Sequence, residues 1–218
     1  MDTTLFYFHD PMCSWCWGFR PVWLKLESNL PASVNVKYVL GGLAPDSDKA
    51  MPIAMRTMLQ NTWEKIRNEL NTEFNFDYWE KNIPRRSTYP ACRALIAAEQ
   101  QEASTQMLHA IQRAYYLRAI NPSDDDVLKQ LASELCLDEK QFSQDLNSQK
   151  TQKLLEQQIQ LANDWLVTGY PSLILQKKCP SADKNDAQYK RYPITMNYHD
   201  HHNMLKRIQN VIAGLSRG

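Results

Sequence analysis

Leu5-Phe6-Tyr7-Phe8-His9-Asp10-Pro11-Met12-Cys13-Ser14-Trp15-Cys16-Trp17-Gly18 is the stretch on which the fold turns. Leu5–Phe8 is a short apolar, aromatic run, which suits a buried strand. Pro11 breaks the chain just ahead of Cys13. From Ser14 to Leu30 the pattern becomes helical, with Trp17, Val22, Trp23, Leu24 and Leu26 apolar. Pro21 lies inside this stretch and is expected to kink the helix. Val34, Val36, Tyr38 and Leu40 alternate as a second strand, which Gly41-Gly42 ends. Strand, helix and strand in this order usually give a parallel pair. Cys13 and Cys16 therefore fall where a strand meets a helix N-terminus.

Beyond Leu40 the chain changes character. From about Asp46 to Gln149 the sequence offers helices and no convincing strand. Candidates run roughly Met51–Leu70, Thr88–Gln101, Glu102–Arg118, Asp124–Leu135 and Asp138–Asn147, with an aromatic, irregular link at Phe74–Arg86. Ser123 and Asp138 are read as cap residues. Lys150–Leu166 is a further amphipathic helix, with Leu154, Leu155, Ile159, Ala162 and Trp165 on one face. Thr168-Gly169-Tyr170-Pro171 then leads into a strand at Ser172–Gln176 and a polar loop at Lys177–Gln188. Tyr189–Thr195 reads as a hairpin strand in which Pro193 marks a sheet edge. Met204, Leu205, Ile208, Val211, Ile212 and Leu215 define a closing helix. The order βαβ, helical block, αββα predicts an α/β fold. Residues 1–45 and 150–218 supply one four-stranded sheet with helices on both faces, and 46–149 form an inserted helical domain.

Composition narrows the function classes. The 218 residues carry 25 Lys+Arg against 24 Asp+Glu, a net charge of +1. That balance lacks the cationic excess of a bulk nucleic-acid binder. Six Trp, ten Tyr and six Phe supply burial that disordered chains lack. No apolar run approaches the roughly 20 residues that span a bilayer, so no membrane partner is expected. The second residue is acidic and the first apolar run is short, unlike a secretory signal, which leads us to expect a cytoplasmic protein. Five cysteines at irregular spacing make a poor disulfide framework. Cys92 and Cys136 are expected to be small core residues, and Cys179 an exposed bystander.

The informative pair is Cys13 and Cys16. Free amide groups and the helix dipole at a helix start stabilise a thiolate, the attacking form of a thiol. Residues three apart share a helix face, so Cys16 can reach Cys13 and resolve a mixed disulfide formed there. Such a short ring makes a disulfide that carries electrons rather than one that staples a fold. A zinc site would need four ligands, usually two close pairs, and no second cysteine pair exists. His199, His201 and His202 lie far along the chain. Chance proximity of the two cysteines is the remaining alternative, and no metal site is expected. Proline at the first residue of a strand is ordinary. A cis Tyr170–Pro171 bond would in addition expose the backbone of Tyr170 to an extended peptide. Trp17 is expected in the core, and Trp15 in an apolar surface for unfolded or extended partners.

These features resemble the DsbA-like branch of the thioredoxin fold. Asp10-Pro11-Met12-Cys13-Ser14-Trp15-Cys16-Trp17-Gly18 and Thr168-Gly169-Tyr170-Pro171-Ser172 carry the likeness. They look most similar to FrnE-like cytoplasmic disulfide isomerases and oxidoreductases, as does Ser87–Glu99. The resemblance implies a thioredoxin-like fold with an inserted helical domain. It implies Cys13 as nucleophile, Cys16 as resolving thiol and Pro171 as cis-proline, with Trp15, Tyr170 and Pro171 meeting the substrate. No cofactor beyond a Cys13–Cys16 disulfide is implied, with glutathione as a candidate redox partner and protein or peptide thiols as substrates. Ser14-Trp15 differs from the Pro-His of periplasmic oxidants, and Leu5–Phe8 lacks the acid often buried behind such motifs. The group that accepts the Cys16 proton is open, with His9 and Asp10 near in sequence. Two other readings stand beside this one. A glutathione-dependent transferase or isomerase of the same fold would need no resolving thiol. A chaperone-like binding module would leave both thiols incidental.

Overall fold

The computed structural model describes residues 3–179 and 188–215. The chain opens with β1 (Thr3–His9), α1 (Ser14–Ser28) and β2 (Val34–Leu40). Seven helices follow: α2 (Ile53–Leu70), α3 (Tyr78–Lys81), α4 (Tyr89–Glu99), α5 (Ser104–Tyr116), α6 (Asp125–Glu134), α7 (Glu139–Leu146) and α8 (Gln149–Asp164). β3 (Ser172–Lys178), β4 (Tyr189–Ile194) and α9 (His202–Ile212) close it. The sheet order is β2-β1-β3-β4. β1 and β2 run parallel, while β1–β3 and β3–β4 are antiparallel. This is the thioredoxin-like arrangement with helices inserted between its halves.

Strand alternation divides β1 between two layers. Leu5 and Tyr7 join Phe19, Trp23 and Leu26 of α1 and Met204, Ile208 and Val211 of α9. Phe6 and Phe8 point to the other face, with Ala162 of α8 and the flanking Trp165. Each such side chain, fully buried, contributes about 1.5–3 kcal/mol of transfer free energy. The largest cluster belongs to the helices. Its hub is α4, buried from Pro90 to Ala98, whose alanines let α5, α7 and α8 approach closely. The same cluster takes in Met12, Trp17 and Leu40, so the thiol loop and the inserted helices share one core.

Some expectations need correction. α1 extends on both sides of Pro21, which stands inside the helix and removes one backbone donor there. The irregular link contains the short helix α3, whose Tyr78 and Trp79 are buried. Ser123 does not cap α6. Asp124 stands at that position, and the Ser123 hydroxyl donates to the Ser87 carbonyl instead. Cys136 is not a core residue. α6 ends at Glu134, and Cys136 follows in the left-handed region (φ 57°), which turns its side chain out to solvent. Cys179 is half-buried rather than exposed, its N–H donating to Gln188 where β3 and β4 part. Of the polar loop read at 177–188, residues 180–187 fall outside the described residues, while Lys177 and Lys178 extend β3 and Cys179 and Gln188 are joined by the bond just given. Among the described residues no helix is long and apolar enough to cross a membrane.

Candidate active site

The thiol loop is held by Asp10. The Cys13 N–H donates to the Asp10 carbonyl (3.1 Å), and the Met12 N–H to Asp10 Oδ1 (2.8 Å). This local bond to an aspartate side chain is a turn that competes with strand continuation. Cys13 then takes the N-cap position of α1, with an extended backbone and no side-chain cap, and Cys16 follows inside the first turns. Cys13 keeps 7% of its surface in contact with solvent and Cys16 only 1%, so a disulfide arriving from outside meets Cys13 first. Both are free thiols. Burial, then the neighbouring Cys13 thiol, pushes the Cys16 thiol well above its ordinary value.

A second segment faces the first thiol. The Tyr170–Pro171 bond is cis. Cys13 Sγ donates to the Tyr170 carbonyl at 3.3 Å. The Tyr170 hydroxyl reaches back to the carbonyl of Gly41, just past β2, at 3.1 Å. The ring lies so close that a Cβ on Gly41 would stand 2.0 Å from Tyr170 Cζ. The helical insertion grips α1 from the other side. Trp63 Nε1 of α2 donates to Ser14 Oγ (3.0 Å), and Trp17 Nε1 donates to the Glu73 carbonyl (3.0 Å). Trp17 is buried and stacks on Tyr116. Trp15 is half-buried, edge-on to Tyr198 at 5.2 Å, with the Lys65 ammonium 5.7 Å from its ring centre.

Three further polar groups lie beneath the loop. Asp10 is fully buried. Its Oδ2 accepts from Leu43 N–H (2.8 Å), Thr88 Oγ1 (2.7 Å) and Cys92 Sγ (3.6 Å). Burial holds the carboxyl pKa above its ordinary value, against the opposing pull of these donors and of the Met12 N–H. Cys92 is likewise fully buried, and burial together with the Asp10 charge pushes its thiol well up. His9 is stacked on Tyr7, and burial lowers its pKa to about 3.

The fold thus gathers Cys13, Cys16, Tyr170 and Pro171 in one place and sets Trp15 at its margin. Sequence reading missed Tyr198, Trp63 and Gly41. Their partners lie far away in the chain, and only the Gly41-Gly42 pair gave any local signal. Elsewhere, Asp200, His201 and His202 bring ligand atoms within 4.8 Å of one another, with neither Cys13 nor Cys16 among them. Asp200 Oδ1 there accepts the His202 N–H (3.0 Å), which is ordinary start-of-helix bonding for α9. A groove of about 490 Å³ opens between β2 and helices α4, α5 and α8, lined by neither Cys13 nor Cys16.

A four-stranded sheet, two thiols at the first helix start and a cis X–Pro bond opposite them define a thioredoxin-fold protein with an inserted helical block. A family model described as thioredoxin matches residues 6–195, and the chain belongs to that family. It is similar to the ClpXP adapter protein SpxH of Bacillus subtilis, with 28% identity over 172 residues, covering 78% of this chain and 56% of that protein. The chain therefore spans little more than half the length of such relatives. Among solved structures, it resembles a protein of Nitrosomonas europaea provisionally named a protein disulfide isomerase. That match has TM-score 0.81 and 25% identity, over 99% of this chain and 100% of the other. The cytosolic disulfide reductase DsbM of Pseudomonas aeruginosa shares the fold, with TM-score 0.67 and 22% identity over 97% and 96% of the two chains.

Proposed function

We propose that this protein is a thiol–disulfide oxidoreductase that acts on protein or peptide disulfides in the cytoplasm, within the FrnE-like branch of DsbA-like proteins. The observation that carries the reading is the contact between Cys13 Sγ and the Tyr170 carbonyl at the cis-proline loop. It sets the more exposed of the two sulfurs beside a backbone carbonyl at which an extended peptide can pair in place of the thiol. In the reductive direction Cys13, as thiolate, attacks one sulfur of the substrate disulfide. A Cys13–substrate bond forms, the substrate S–S bond breaks, and the departing sulfur takes up a proton. Cys16 then loses its proton and attacks Cys13 Sγ, which frees the second substrate thiol and leaves a Cys13–Cys16 disulfide. The reverse sequence oxidises a dithiol.

Glutathione is the proposed recycling partner, since the DsbM neighbour was also solved with GSH. In assays of insulin reduction, Cys13→Ser should abolish turnover. Cys16→Ser should instead accumulate a mixed disulfide on Cys13, seen as added mass. Undiminished turnover by Cys13→Ser would overturn the assignment. A second reading, favoured by the likeness to SpxH, is an adapter or chaperone-like module that binds proteins without thiol turnover. It requires partner binding to survive loss of both cysteines.

A further inference from the structure

We infer that Asp10 is a positioning residue: its carboxylate ties the nucleophile loop to the inserted helices and thereby sets the redox equilibrium of the Cys13–Cys16 pair. The inference rests on the thiol–disulfide reading of that pair. Three chain segments converge on this one side chain. The thiol loop donates Met12 N–H to Oδ1, the segment after β2 donates Leu43 N–H to Oδ2, and the start of α4 donates the Thr88 hydroxyl and Cys92 thiol to Oδ2. The main-chain carbonyl of Asp10 takes the Cys13 N–H. Every described partner of the carboxylate is an uncharged donor, the set an anion accepts and a neutral amide or acid satisfies less well.

The carboxyl group is wholly buried, where charge acts at low dielectric. Burial first, and the Asp10 charge after it, work against ionisation of Tyr89 and Cys92 on α4, Tyr115 on α5 and Tyr170 ahead of β3. By fixing Met12 and Cys13 at the start of α1, Asp10 holds the first sulfur in reach of the second, and a pair already held together favours the disulfide. This differs from a proton-accepting role, since the carboxylate is committed to four donors already.

The test is equilibration with glutathione: dithiol plus oxidised glutathione gives the Cys13–Cys16 disulfide plus two reduced glutathiones. The disulfide fraction is read by alkylation and mass spectrometry for the parent, Asp10→Asn, Thr88→Val and Thr88→Ser, with thermal unfolding measured alongside. For Asp10→Asn the equilibrium constant should fall about tenfold, which for two electrons is about 30 mV toward easier reduction. Thr88→Val, which withdraws one of the four donors and so loosens the same anchor, should shift it the same way by less. Thr88→Ser should match the parent. Constants within twofold of the parent for Asp10→Asn and Thr88→Val, whatever their melting temperatures, would overturn the inference and mark these bonds as structural only. If Asp10→Asn does not fold, the Thr88 pair decides. A parent chain that forms no Cys13–Cys16 disulfide at any ratio would instead overturn the thiol reading, and this inference with it.

Discussion

His9 shows how far burial can act on one side chain. It is 2% exposed, its Nδ1 has no hydrogen-bond partner among the described residues, and burial lowers its pKa to about 3, so it stays neutral in the folded protein above that pH. In the unfolded chain the same imidazole takes up a proton below pH 6.5. The unfolded state therefore binds more protons between these values, and stability must fall as pH falls through that window. The slope from this residue is about 1.4 kcal/mol per pH unit. Urea titrations should show that His9→Phe, which keeps the ring stack on Tyr7, flattens the acid limb by about one proton. An unchanged limb would mean that His9 is protonated in the native state. At this scale the sequence was informative where chemistry is local. Two cysteines three apart behind a strand, and a Gly-x-Pro ahead of one, can be read without a fold. The Ser14–Trp63 bond and the contact of Trp15 with Tyr198 cannot, because those partners meet only through packing.

Elements were legible in proportion to their periodicity. Val34–Leu40 is bounded as its alternation predicts, and Pro193 does sit in the edge strand β4. Helix ends were harder, because each is decided by a few backbone groups. Cys136 followed an apolar helical pattern, yet the chain turns left-handed there and exposes it. Asp138 behaved as read, its carboxylate accepting the Gln141 N–H at 2.8 Å to start α7. Replacing it by Ala should cost about 1 kcal/mol in a thermal or urea melt, with thiol exchange unaffected. A neutral result would mean that water caps α7 equally well.

Over the whole molecule, the decisive feature is that the insertion is not an appendage. Buried side chains run without a gap from α4 and α5 through Trp63 to Trp17 and Met12, which flank Cys13 and Cys16 in the chain. The βαβ and αββα halves were readable from pattern alone. This shared core was not, because nothing in composition distinguishes residues that face a neighbouring block from those that face their own. Sheet and insertion should therefore unfold together. Tryptophan fluorescence and the alkylation of Cys92 should report one urea midpoint, and two separated transitions would contradict a common core.

Tyr170 rests on bare backbone at Gly41, with no room for even a methyl group between them. Alanine at that position would evict the phenol and drag its carbonyl off the Cys13 sulfur, although both sulfurs and the cis-proline would be chemically intact. Gly41→Ala should consequently slow insulin reduction while leaving every reactive atom in place. The end of the outermost parallel strand thus acts as a steric lever on a reaction centre that it never touches.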